Sequence, residues 1–140
     1  MTEETKAIIK STAPVLKEHG EAITRAMYVN LFTAHPEAKE LLKNAAPDQY
    51  KKLANAIYAY AANIDNLGAL GKGIEKMVSV HVKSDIQAHH YPWVGEALLA
   101  AIKEVLGDGA IDEVINAWSD AYTFLAGVLI AKEKEVYKNS

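Results

Sequence analysis

The sequence contains no cysteine. That excludes disulfides, thiolate zinc sites, Cys-ligated iron–sulfur clusters, cysteine nucleophiles and thioether attachment of any prosthetic group. It also lacks a basic stripe: 15 Lys and Arg are outnumbered by 18 Asp and Glu, for a net charge of −3. Nothing in it attracts nucleic acid. No run of Val, Ile and Thr alternates with polar residues between turns, so strand signals are absent. Gly68, Gly71 and Gly73 follow no strand, which removes a phosphate-binding loop, and no His-Glu-x-x-His occurs. The longest weakly polar stretch, Ala121 to Ala131, is about half of what spans a bilayer. The opening Met1-Thr2-Glu3-Glu4 is polar and acidic, unlike a signal peptide. A cytoplasmic protein with neither a membrane nor a nucleic-acid partner is expected.

What is present reads as helix. Half of the 140 residues are hydrophobic and 24% are charged, an ordinary balance for one domain over residues 1–140. Such a domain buries roughly 70% of the surface of its unfolded chain, enough to enclose a ligand. Ala, Leu, Lys and Glu dominate, and apolar residues recur at spacings of three and four. A first helix is expected from Thr2 to His19, bent at Pro14, with Gly20 either ending it or marking a tight junction. A second carries Ile23, Met27, Leu31 and Phe32 and stops before His35-Pro36. A short helix, Glu37 to Leu42, precedes a loop from Lys43 to Asp48. Asp48 is a candidate N-cap for the next helix, which shows Leu53, Ile57, Tyr60 and Ile64 on one side. Asn66 to Gly73 reads as a loose connection. Three more helices follow: Ile74 to Ser84, Trp93 to Leu106 after Pro92, and a long one from Ile111 to Lys138. Lengths this unequal argue against a symmetric four-helix bundle.

The short helix holds the first informative residue. Ile74, Met77, Val78 and His81 are three or four apart and share one face. From spacing alone the plainer reading of His81 is a core or boundary histidine with a hydrogen-bond partner. The sharper reading is an axial ligand to a haem, whose flat apolar face needs such surroundings. Tyr91 sits just before Pro92. Glu133 lies about three turns after Tyr122 on the same face of the last helix. Within Lys132-Glu133-Lys134-Glu135 it reads more simply as a solvated carboxylate. Tyr28 is four before Phe32, and Gln49 four before Leu53, so each pairs a polar tip with an apolar neighbour. A closed pocket for a small diatomic ligand would use such pairs; ordinary packing and a helix start explain them equally. His89 and His90 are adjacent, so a turn or cap role suits them better than a zinc site.

Several segments together carry a resemblance. They are Pro14 to Gly20, His35-Pro36-Glu37, Tyr60 to Leu67, His90 to Leu99, Ala101 to Asp108, Ala117-Trp118 and Ala121-Tyr122. The chain resembles the bacterial single-domain haemoglobins and the globin domain of flavohaemoglobins nearly end to end. The resemblance implies an all-α globin fold, a three-over-three helical sandwich enclosing a haem pocket. It implies haem b, with His81 as the iron ligand and Tyr91 and Glu133 bonding that histidine's far nitrogen. Tyr28 falls on the distal tyrosine, Gln49 on the distal glutamine, and Leu53 on the apolar residue over the iron. Leu42, Met77, Val94 and Tyr122 fall in the haem surround.

The departures from the family pattern matter as well. Leu42 stands where the family carries a Phe packed on the haem, and it offers bulk without a flat face. Val80 stands where a propionate-binding Lys is frequent. The loop between Leu42 and Gln49 is shorter than usual, which brings Lys51 and Lys52 into consideration as iron ligands beside Gln49. The function implied is reversible binding of O2 or another diatomic (NO or CO). Conversion of nitric oxide to nitrate would need electrons from a separate reductase. A monomer or homodimer is expected. The contrasting expectation is a degenerate globin serving as a sensor or interaction module with little or no haem.

Overall fold

The computed structural model describes residues 1–43 and 47–139. Among the described residues, five α-helices joined by 3-10 turns carry the chain, and no strand occurs. α1 spans Glu3–Ala34, α2 Gln49–Ala62, α3 Gly71–Lys83, α4 Tyr91–Leu106 and α5 Asp112–Lys138.

Thr2 starts α1: its hydroxyl oxygen accepts from the Thr5 amide at 3.1 Å, and Glu3 and Glu4 fill the first turn. Both features suit the electropositive end of a helix. The helix does not stop at Gly20 but runs on to Ala34, so the two helices expected there are one. Gly20 is buried against α2, where an added Cβ would lie 3.3 Å from the Cβ of Ala54. The glycine allows a close helix approach instead of ending a helix. Pro14 stays inside α1 at an exposed position. The carbonyl it deprives of a donor belongs to Lys10, itself an exposed residue.

Other boundaries also move. The segment expected as a short helix is a 3-10 turn, Pro36–Leu42. Of the expected loop Lys43 to Asp48, residues 44–46 lie outside the described residues. Asp48 occupies the N-cap of α2 without a side-chain cap bond; its carboxylate pairs with Lys52 at 3.9 Å instead. The connection Asn66 to Gly73 condenses into a 3-10 turn, Leu67–Leu70, and α3 begins at Gly71 rather than Ile74.

α1 is the spine, packing on α2, α4 and α5. Ile9, Leu16, Ile23 and Met27 meet Tyr60, Leu98, Ile102 and Trp118 in the main core. Two buried polar contacts fix α5 to it. Trp118 Nε1 donates to Thr12 Oγ1 at 3.2 Å, and the Tyr60 hydroxyl donates to the Ala121 carbonyl at 2.7 Å. A second cluster forms where α3 meets α5, around Val78, Tyr91, Ala126 and Leu129. α3 packs chiefly on α5 and on the turn before it, without substantial contact to α1 or α2. The two clusters share only the half-buried Tyr122 and Leu125 among the described residues. By length and mean hydropathy (1.3) α5 qualifies as a membrane-crossing helix. Here its Trp118, Ala121, Ala126 and Leu129 are buried in the two clusters.

Candidate functional site

On α3, Val78 is buried while Ile74 and Met77 are half-buried against the same cluster, as their spacing with His81 predicts. His81 points its Nδ1 at two oxygens. One is Glu133 Oε2 at 2.9 Å and the other is the Tyr91 hydroxyl at 3.0 Å. Tyr91 itself donates to both Glu133 oxygens, at 2.6 and 2.8 Å. Three helices thus meet on one ring.

Glu133 is only 3% exposed. The simpler reading of it as a solvated carboxylate is therefore wrong. A carboxylate in such a place requires hydrogen-bond donors, and Tyr91 and His81 supply them. Burial, and then the hydrogen bond and charge of Glu133, push the Tyr91 phenol well above its ordinary range. The phenol therefore keeps its proton and directs it at Glu133. Both oxygens near His81 can then only accept from it, so Nδ1 carries a hydrogen, and in the neutral ring Nε2 carries the lone pair. The His81 side chain remains 23% exposed, and Nε2 has no hydrogen-bond partner among the described residues.

A further support lies behind Tyr91. The Tyr122 hydroxyl donates to the Tyr91 carbonyl at 2.7 Å. The Tyr122 ring passes over Gly95, where a Cβ would come within 2.8 Å of Tyr122 Cε2. On α5, the Tyr137 hydroxyl donates to the Ile86 carbonyl at 2.6 Å. Sequence reasoning missed both Gly95 and Tyr137. Tyr137 had a signal, since it lies four residues after Glu133 and shares its helix face. Gly95 had none, because the ring that requires it comes from another helix.

The residues expected on the other side come from α1 and α2. Tyr28 is half-buried and stacks on Phe32, with centroids 5.9 Å apart and planes at 18°. Burial pushes its hydroxyl upward, and a hydrogen-bonding interaction with the Gln49 side chain partly opposes the shift. The structure therefore brings Tyr28 and Gln49 together. Leu53 and Val94 are half-buried against the main core. Leu42 ends the 3-10 turn, half-buried and packed on neither cluster. Lys51 and Lys52 are exposed, and Lys52 is drawn to Asp48. His90 accepts the Gln87 amide hydrogen on its Nδ1 at 2.8 Å, in the turn that leads into α4.

The comparisons agree with this architecture. The globin family model matches residues 25–129. An uncharacterised globin-like protein of Aquifex aeolicus is 50% identical, over 98% of this chain and 97% of its own length. A flavohemoprotein of Rhizobium meliloti is 46% identical over the whole chain, which spans 36% of that relative. Among solved structures, a bacterial globin from Campylobacter jejuni superposes with a TM-score of 0.89 at 36% identity, covering 98% of this chain and 99% of that one. The engineered carbene transferase RmaNOD, a candidate nitric oxide dioxygenase from Rhodothermus marinus, gives 0.94 at 42% identity, covering 99% and 96%. Family model, relatives and structural neighbours converge with the helical architecture, and the chain belongs to the globin family, with its all-α fold.

Proposed function

We propose that this chain is a haem protein that reversibly binds O2, with NO and CO as further ligands, and that His81 is its iron ligand. One observation carries the reading. His81 leaves Nε2 without a hydrogen-bond partner among the described residues, while its Nδ1 is held by a buried carboxylate and a phenol. Ligating histidines characteristically have such a partner on the second nitrogen. The surroundings suit a flat apolar macrocycle. Half-buried Met77 lies on the α3 side, half-buried Leu53 and Val94 on the main-core side, and among the described residues the two clusters join only at Tyr122 and Leu125.

When bound, haem b supplies ferrous iron with a coordination position open to a diatomic gas. The chain's own residues do the rest. Glu133 accepts from His81 Nδ1, fixes the ring's orientation and raises its basicity. Tyr91 occupies both carboxylate oxygens and keeps the pair aligned. Tyr28 and Gln49 present hydrogen-bond donors to partial negative charge on a ligand, and Leu53 contributes apolar bulk that keeps water away. The solved neighbour from Rhodothermus marinus, described as a candidate nitric oxide dioxygenase, favours such a role as well. That reaction consumes an electron per turnover, which has to come from a flavin or nicotinamide reductase outside these residues.

Visible spectra of protein expressed with adequate haem test the proposal. A sharp Soret band in the ferrous CO complex is expected. An absent Soret band would overturn it in favour of a degenerate globin with an interaction role. His81→Ala should abolish stoichiometric haem uptake; retained haem with normal coordination would show that another residue holds the iron.

A further inference from the structure

The end of α3 is built around His81. Asp85 has φ +61°, and it is the only non-glycine residue with positive φ among those described. Its amide donates to the Val82 carbonyl at 3.1 Å, and the next amide, of Ile86, donates to the His81 carbonyl at 3.0 Å. This is a Schellman stop, in which the longer bond closes on the third residue from the helix end. Glycine is usual at the left-handed position, because side chains disfavour it. Asp85 takes its place, and its carboxylate accepts from the Gln87 side-chain amide at 2.9 Å.

The Ile86 peptide is held from both directions. Its N–H bonds to His81, and its carbonyl accepts from the Tyr137 hydroxyl at 2.6 Å. Tyr137 stands one helical turn beyond Glu133 on α5. One helix therefore grips His81 twice: the imidazole through Glu133, and the backbone carbonyl through Tyr137 and Ile86. The packing of Val78 against Ala126 and Leu129, with the Glu133 bond, forms one attachment of α3 to α5. A second one, on the same face, fixes the roll of α3.

We propose that Tyr137 and Asp85 act as positioning residues, a clamp on the α3 stop that sets where His81 Nε2 points. The proposal rests on the reading of His81 as the iron ligand. Loosening the clamp should lengthen the Nδ1 contact with Glu133 and reduce the basicity of the ring.

Tyr137→Phe removes the hydroxyl and leaves the ring. In the haem-loaded ferrous protein, the iron–histidine stretching band in resonance Raman is expected to move to lower frequency and broaden, with haem content unchanged. In the full chain, haem-free or as the diamagnetic ferrous CO complex, the His81 imidazole nitrogen resonances should shift while those of His35 and His19 stay in place. Asp85→Val, which disfavours the left-handed conformation, should act in the same direction. Asp85→Gly, which suits it, should leave the His81 resonances unchanged. If Tyr137→Phe lowers the melting temperature but leaves the band and the His81 resonances where they were, Tyr137 merely anchors a loop and the proposal fails. If the unmodified protein takes up no haem, the ligand reading fails, and the imidazole resonances of the haem-free chain still decide the clamp.

Discussion

On the His81 side, three helices converge on one imidazole. α3 supplies the ring, α4 the Tyr91 hydroxyl and α5 the Glu133 carboxylate, with every contact between 2.6 and 3.0 Å. On the Tyr28 side, α1 and α2 supply one hydroxyl and one amide that interact with each other. The apolar residues there are half-buried, and Leu42 is packed on neither cluster. Buried polar networks with every member satisfied are rigid and costly to disturb. Half-buried side chains with few partners shift cheaply. On the proposed reading, the His81 side is organised in advance of the haem, whereas the Tyr28 side is left for the ligand to complete.

The largest break in that contrast should come from Glu133→Leu. The Tyr91 hydroxyl loses its acceptor, at about 1–3 kcal/mol for the orphaned group, and His81 Nδ1 is left with the Tyr91 oxygen alone. Loss of such a supporting partner typically weakens metal affinity about 10- to 100-fold. Denaturant unfolding and haem transfer to an acceptor globin measure the two effects separately. Tyr28→Phe in the same assays should change stability little, because it removes one half-buried hydroxyl. Equal losses in the two variants would erase the claimed asymmetry.

Gly95→Ala tests how far the rigid side extends. The added Cβ would sit 2.8 Å from Tyr122 Cε2 and 3.1 Å from Cδ2. A ring carbon cannot swing aside as a flexible side-chain end would. Tyr122 is also tied by its hydroxyl to the Tyr91 carbonyl. Overpacking of this kind costs about 1–3 kcal/mol. A melting temperature unchanged from that of the unmodified protein would mean that Tyr122 has room to move, and that the network ends at Tyr91.

The same contrast explains what could be read from the sequence. Periodicity gave α2 to α5, α1 as two helices instead of one, and the shared face of Ile74, Met77, Val78 and His81. It could not place Glu133, because its burial comes from α3 and α4 closing over α5. In the Lys132 to Glu135 run nothing local separates that carboxylate from its solvated neighbours. The family resemblance alone brought it to His81. Gly20 stays ambiguous in the sequence for a related reason. A glycine suits both a helix end and a close helix crossing, and only Ala54 on α2 decides between them. The 3-10 turn at Pro36–Leu42 has helical composition, and its tighter winding has no periodic signature in seven residues.

The smallest effect expected is a gain on the weaker side. Leu42 ends the 3-10 turn half-buried, with no place in either hydrophobic cluster. An aromatic ring there would present a flat face to a flat macrocycle. Aromatic stacking adds about 0.5–1.5 kcal/mol beyond area burial, which corresponds to roughly two- to tenfold slower loss of haem. Leu42→Phe should therefore slow haem transfer to an acceptor while leaving the iron–histidine stretching band unmoved, since that band reports the His81 side. A slower transfer with an unshifted band would show that the two sides hold the group independently. A shifted band would show instead that reseating the haem from the Tyr28 side drags the iron against His81. The clamped side would then be strained by its softer partner.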